Sequence, residues 1–134
     1  GPYCMSKFAL EAFTDCLRQE LADWGMHVAS VQPGSIDTAM WDKARQYDWT
    51  DEASEHDLDL YGKAYRAFRA FEEQTASSAV PCDAVSRAIL HALTAGRPRT
   101  RYLVGRDAKI YGRLPSIFPD RIVDWLTRKA MGLG

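Results

Sequence analysis

With 134 residues, the chain is long enough for one modest domain and short for two. Its net charge of −1 and its 26% of charged residues give no overall attraction to nucleic acid. Cys4, Cys16 and Cys82 are odd in number and widely spaced, which predicts neither a disulfide framework nor a zinc site. We therefore expect a protein of a reducing, cytoplasmic compartment.

The spacing of the histidines and the hydropathy bear on two further classes, metal-binding and membrane-spanning proteins. His27, His56 and His91 fall on different predicted elements without metal-ligand spacing, so we expect no bound metal. No apolar run approaches the roughly 20 residues of a membrane span. A basic amphipathic helix near the C-terminal end is also compatible with a membrane surface, although packing on the domain is favoured. Because the sequence starts at Gly1 without an initiator methionine, we expect a further segment before it.

The first element is a predicted helix. Pro2 suits the first helical turn, and helical periodicity runs on to Trp24, where Gly25 ends it. Apolar residues such as Phe13 cover more of its circumference than packing on one sheet requires. We therefore expect burial on two sides, with a homodimer or homotetramer formed through residues 3–24.

A strand and a long connection follow. Residues 26–32 read as a short strand, closed by Pro33 and Gly34. Periodicity then disappears over residues 35–54, which predicts a loop of about twenty residues; loops of that length are usually lids or disordered segments.

A second helix, residues 55–75, carries an aromatic stripe that fits core packing and a ligand pocket equally well, formed by Tyr61, Ala64, Tyr65, Phe68 and Phe71.

The remaining elements complete an α/β pattern. A third helix is predicted over 81–95, a second strand over 100–104, and two short helices over 107–114 and 119–130. Parallel strands normally belong to sheets covered on both faces, so two strands make a poor free-standing sheet. The predicted fold class is therefore α/β, half of a larger doubly wound parallel sheet.

The strongest chemical candidates are Tyr3 and Lys7, which are four residues apart and so share one helix face. A cation about one helical turn away favours the phenolate form of a tyrosine. Tyr3 is then able to accept an alcohol proton, or to return it to a carbonyl. Alone, this spacing is a weak signal.

Two motifs together give the pair its context. Tyr3-Cys4-Met5-Ser6-Lys7 and Pro33-Gly34-Ser35-Ile36-Asp37-Thr38 resemble the Y-x-x-x-K and P-G-x-x-x-T signatures of the short-chain dehydrogenases/reductases. The resemblance covers essentially the whole chain and is greatest to members acting on hydroxysteroids, retinol and related hydrophobic alcohols. It implies that residues 1–134 form the C-terminal part of one NAD(P)-binding Rossmann-fold domain, with residues 39–75 as a substrate lid.

The resemblance also implies roles for individual residues. Tyr3 and Lys7 would be catalytic and would also contact the cofactor, with Lys7 holding the nicotinamide ribose. The segment of Pro33, Gly34, Ile36 and Thr38 would bind NAD or NADP: Gly34 allows close backbone approach, while the Ile36 backbone and the Thr38 hydroxyl hold the carboxamide.

Met40 and Trp41 would contact a small-molecule substrate. The family's glycine-rich phosphate turn and its catalytic Ser and Asn precede Y-x-x-x-K, so this chain alone is expected to be inactive.

Two other interpretations remain open. In the first, the chain is a non-catalytic helical dimerisation module or a degenerate fragment, with Tyr3 and Lys7 as ordinary surface residues. In the second, weaker one, Gly34-Ser35 belongs to a hydrolase, but no G-x-S-x-G motif is present and His56 and His91 have no identifiable acid partner.

Overall fold

The computed structural model describes residues 1–133. Its helices and strands, in chain order, are α1 (Pro2–Glu20), β1 (Ser30–Pro33), α2 (Met40–Gln46), α3 (Glu55–Ser77), α4 (Cys82–Thr94), β2 (Arg101–Val104), α5 (Arg106–Tyr111), α6 (Leu114–Ile117) and α7 (Asp120–Ala130). Single 3₁₀ turns lie at Ala22–Trp24 and Trp49–Asp51.

The two strands pair in parallel. Their register runs from Ser30 opposite Arg101 to Pro33 opposite Val104, and the Ser30 N–H also donates to the Thr100 carbonyl at 2.9 Å. This confirms the predicted α/β class and is consistent with part of a Rossmann-like fold. The first strand begins four residues later than predicted, because a strand forms only where a partner backbone runs beside it and β2 is equally short.

Helix α1 ends in two steps. The α-helix stops at Glu20, a 3₁₀ turn replaces the last predicted turn, and Gly25 has the left-handed φ of 67° that only glycine adopts without cost. Large apolar side chains of α1 remain exposed, with Phe8 at 78%. Within residues 1–133 nothing buries α1 on two sides, so the predicted subunit interface stays a prediction.

The prediction of one uninterrupted loop over residues 35–54 is wrong, because this segment contains α2 and the second 3₁₀ turn. Seven residues are too few to show helical periodicity in the sequence. The helix after it begins as predicted: the Asp57 N–H donates to the Ser54 hydroxyl at 3.2 Å and the Asp57 carboxylate accepts from the Ser54 N–H at 3.3 Å, a reciprocal capping box.

The prediction for residues 81–95 is accurate, whereas the prediction for the C-terminal helices misses one element. Helix α4 lies within one residue of its predicted ends at both termini. The C-terminal region, predicted as two helices, has three, because Leu114–Ile117 forms a separate turn with a proline in its first positions. No helix within residues 1–133 combines the length and apolar character needed to cross a bilayer.

The chain divides into two compact units. The first unit joins Gly1–Pro33 to Asp83–Val104 and contains α1 and the sheet. The second unit joins Gly34–Cys82 to the chain from Gly105 onward. Tyr102 and Val104, both on β2, are the buried apolar residues of the first unit.

Candidate active site

Tyr3 and Lys7 lie on the first two turns of α1, on one face of the helix. The Lys7 ammonium nitrogen is 5.3 Å from the centroid of the Tyr3 ring, within the range of a cation–π contact. Tyr3 is 71% exposed, so its phenol is accessible in this chain. The Ser6 hydroxyl between them donates to the Tyr3 carbonyl at 2.7 Å and thus serves the helix backbone.

One turn beyond Lys7, an acidic residue ties the same face of α1 to the sheet. The Glu11 carboxylate accepts from the Gln32 amide at 2.6 Å and from the Arg101 Nε at 3.2 Å. The Arg101 guanidinium also donates to Asp15 at 2.6 Å. Hydrogen bonds from Arg18 and then Arg101 hold the pKa of Asp15 below its ordinary value. These contacts join the helix that carries Tyr3 to both strands and fix its rotation and its position along the sheet.

The segment after β1 belongs to the second unit and has its own support. The Val80 N–H donates to the Ser35 carbonyl and the Asp37 N–H donates to the Val80 carbonyl, both at 2.9 Å, forming a parallel bridge between Ile36 and Val80. In such a bridge the Ser35 carbonyl and the Asp37 N–H form the hydrogen bonds to Val80. The N–H and the carbonyl of Ile36 point to the opposite side. The Ile36 N–H is therefore available for another partner on that side.

The two predicted substrate residues are placed differently. The Trp41 indole N–H donates to the Ile36 carbonyl at 2.7 Å, and the Trp41 backbone N–H donates to the Thr38 carbonyl at 3.2 Å. Trp41 is therefore a support of the Ile36–Thr38 segment. Met40 and the Thr38 side chain are exposed.

Asp107 is a site residue that sequence reasoning missed. Its carboxylate accepts from the Ser35 N–H at 2.6 Å and from the Ser35 hydroxyl at 2.7 Å. Burial acts to raise the pKa of Asp107, but these hydrogen bonds, together with those from the N–H groups of Ala108 and Asp107 itself, outweigh burial and lower it. Asp107 is thus a carboxylate at neutral pH.

Two clefts open beside this contact in the second unit. The larger, of about 580 Å³, has polar walls from Ser35, Thr75 and Asp107. The smaller, of about 250 Å³, is walled by apolar groups, and both include Phe71 and Tyr111. Of the predicted aromatic stripe, Phe71 therefore faces a cleft.

Elsewhere on the stripe, the Tyr65 ring packs on the Trp49 ring with centroids 5.4 Å apart, and the Tyr65 hydroxyl accepts the Trp49 backbone N–H at 3.1 Å. Neither Met40 nor Trp41 lines either of these two clefts.

No group of three or more His, Cys, Asp or Glu side chains in the described part of the chain is arranged to hold a metal ion.

The motifs, the α/β unit and comparison with known proteins place the chain in one class. It belongs to the short-chain dehydrogenase/reductase family. A family model described as short chain dehydrogenase matches residues 1–49, which include both motifs.

Individual relatives extend the match over nearly the whole chain. It is 35% identical to rat retinol dehydrogenase 7 over 136 residues, which is 93% of this chain and 43% of the relative. It is 36% identical to mouse 17-beta-hydroxysteroid dehydrogenase type 6 over 140 residues, 98% of this chain and 44% of the relative. Human retinol dehydrogenase 5 is also 36% identical, over 96% of this chain and 44% of its own length. The chain thus spans less than half the length of these curated relatives.

Proposed function

We propose that the protein carrying this chain is an oxidoreductase that transfers hydride between NAD or NADP and a hydrophobic secondary alcohol or ketone. The observation that carries the proposal is the placement of Tyr3 and Lys7 on one face of α1, with the ammonium 5.3 Å from the ring centroid. A phenol and a cation on one helix face suit proton transfer, and the exposed Tyr3 side chain leaves its hydroxyl accessible to a substrate.

In this proposal Tyr3 moves one proton. During oxidation its oxygen accepts the proton of the substrate hydroxyl, and during reduction it donates that proton to the carbonyl oxygen. Lys7 supplies a positive charge on the same helix face during this transfer. The contacts of Glu11 with Gln32 and Arg101 hold α1 so that this pair is presented in a fixed orientation.

The residues present fit a nicotinamide cofactor in part. Lys7 supplies a cation for the ribose hydroxyls, the Ile36 N–H lies on the side of its backbone away from Val80, and Thr38 is exposed. A bound nicotinamide supplies or accepts the hydride. Tyr3 and Lys7 belong to the first unit and Ile36 and Thr38 to the second, and each set retains the groups that its predicted role requires.

The substrate class follows from two supports. Relatives that match more than nine-tenths of the chain are named for 17-beta-hydroxysteroids, which are hydrophobic secondary alcohols, and for retinol, a hydrophobic primary alcohol. In the second unit the smaller cleft, walled by Phe71, Tyr111 and Met131, offers apolar surface that such a substrate would bury.

Activity is proposed for the complete protein, because the family's phosphate-binding turn and its Ser and Asn lie before the Y-x-x-x-K motif. The chain itself contributes the proton-transfer pair and the groups for ribose and carboxamide. A non-catalytic dimerisation module remains the alternative, supported by the exposed apolar side chains of α1 such as Phe8.

The experiment is a cofactor-linked assay on the full-length protein. A panel of retinoid and steroid alcohols is incubated with NAD⁺ or NADP⁺, and the absorbance of the reduced nicotinamide is followed. We expect turnover with at least one hydrophobic alcohol. Absence of turnover with every alcohol and both cofactors, in a protein shown to be folded, would contradict the proposal and favour the dimerisation module.

A further inference from the structure

Away from the Tyr3–Lys7 face, a contact between Asp107 and Ser35 joins two distant parts of the chain. One carboxylate oxygen, Oδ2, accepts both the backbone N–H and the hydroxyl of a residue 72 positions away in the chain. Distances of 2.6 and 2.7 Å are those of charge-assisted hydrogen bonds, which are roughly twice as strong as neutral ones. The carboxylate therefore anchors the backbone at the point where the segment after β1 begins.

The neighbouring glycine has a steric explanation in the same contact. A Cβ built on Gly34 would collide with the carboxylate carbon and both oxygens of Asp107. Gly34 does not have a positive φ, so conformational freedom is not the reason that a glycine is needed there. The space beside its Cα is filled by Asp107, and any larger residue would displace the carboxylate from Ser35.

A second glycine brings the carboxylate into place. Gly105 ends β2 with a φ of 104°, a conformation that L side chains rarely adopt. This turn starts α5 and directs Asp107 back toward Gly34, so that a Cβ on Gly105 would also meet the Asp107 carboxylate at 2.5 Å. Gly34 and Gly105 thus surround one side chain.

We propose that Asp107 is a positioning residue: it locks the Gly34–Ser35 turn and thereby the Ile36–Thr38 segment, and it is the reason that position 34 is glycine. The inference rests on the proposed function for its catalytic consequence, since Ile36 and Thr38 are the groups assigned to the cofactor. Ser35 is held from two sides, by Asp107 on its N–H and by Val80 on its carbonyl. Without Asp107, only the hydrogen bond from the Val80 N–H to the Ser35 carbonyl holds this residue.

A direct chemical role for Asp107 does not fit its surroundings. The carboxylate is satisfied by the Ser35 hydroxyl and N–H and by the N–H groups of Ala108 and Asp107 itself, and its pKa is lowered. A general acid or base needs an accessible oxygen and a pKa near the working pH. Asp107 acts on the reaction only through the backbone that it holds.

A double-mutant cycle separates this account from one in which Gly34 makes room for the cofactor. In the full-length enzyme, Asp107→Ala is expected to raise the KM for the cofactor about ten-fold while kcat changes less than about three-fold. Gly34→Ala alone should raise this KM at least as much. In Gly34→Ala/Asp107→Ala the two effects should not multiply, because the collision partner is gone.

Multiplied effects in the double variant would overturn the assignment of Gly34 to Asp107. Asp120→Ala is the matched control, because Asp120 is an exposed aspartate in the first turn of α7, as Asp107 is in the first turn of α5. It should leave the cofactor KM unchanged. If Asp107→Ala does not fold, Asp107→Asn keeps the shape and should raise the KM by a smaller factor in the same direction.

Hydrogen exchange tests the positioning without reference to activity. In the full-length protein, Asp107→Ala should speed exchange of the Ser35 amide at least about ten-fold, whereas Asp120→Ala should leave it unchanged. Unchanged exchange at Ser35 would overturn the proposal. Faster exchange in a protein that turns over no alcohol would instead uphold the role of Asp107 and count against the oxidoreductase function.

Discussion

Replacing Glu11 by alanine tests how firmly the helix of Tyr3 is tied to the sheet. The substitution removes the acceptor of the Gln32 amide and of the Arg101 Nε, and leaves Gln32 with the Ser30 hydroxyl at 3.2 Å. The ion pair with Arg101 is worth at most about 1 kcal/mol, because its side chains are 32% and 40% exposed. The Gln32 hydrogen bond to a charged group adds about 1 kcal/mol.

The higher helix propensity of alanine offsets a few tenths of a kcal/mol of this loss. We therefore expect the free energy of unfolding of the full-length protein to fall by about 1–2 kcal/mol. Urea unfolding with a fitted m-value measures this difference. Glu20→Ala is the matched control, because Glu20 is an exposed glutamate on the same helix. If Glu11→Ala costs no more than Glu20→Ala, α1 is not held by this contact and its orientation has another cause.

Three further outcomes follow from individual contacts. Tyr102→Phe should lower the unfolding free energy by about 1–3 kcal/mol in a urea titration, because the hydroxyl of the buried Tyr102 accepts the Arg99 N–H at 3.0 Å; a cost below about 0.5 kcal/mol would contradict this. Ser54→Ala, which removes the cap of α3, should cost about 1 kcal/mol by the same measurement, and no loss would refute the cap.

The third outcome concerns pH. Asp107 has a lowered pKa, so its contribution to stability is complete above the unfolded pKa of about 3.9 and is lost as the pH falls through the lower folded value. Unfolding midpoints at about pH 5 and about pH 3 should therefore differ less in Asp107→Asn than in the unaltered protein, and equal differences would contradict it.

The sequence allowed the longer elements to be predicted because each has a period. Helix α3 was expected over 55–75 and occurs over Glu55–Ser77, since its apolar spacing spans several turns. Helix α2 and the 3₁₀ turn at Trp49–Asp51 escaped prediction because they depend on short-range contacts, among them the bonds from Thr50 to the Asp48 carboxylate.

The candidate site shows the same limit more clearly. Tyr3 and Lys7 were predictable, since four residues along one helix fix their relation. Asp107 was not, because its contact with Ser35 joins positions 72 residues apart. A signal was present: β1 and β2 pair in parallel, so the residues after Pro33 and after Val104 leave the same edge of the sheet. Gly105 and Asp107, just after β2, could therefore have been expected to lie near Gly34, just after β1.

The central claim is that Tyr3 transfers the proton in an oxidoreductase, and one comparison tests it most directly. Tyr3→Phe in the full-length protein removes only the phenolic oxygen, so kcat should fall at least about a hundred-fold while cofactor affinity, measured by fluorescence, stays within about three-fold. Cys4→Ala, an exposed neighbour on α1, should leave both values unchanged. Undiminished turnover in Tyr3→Phe would contradict the claim.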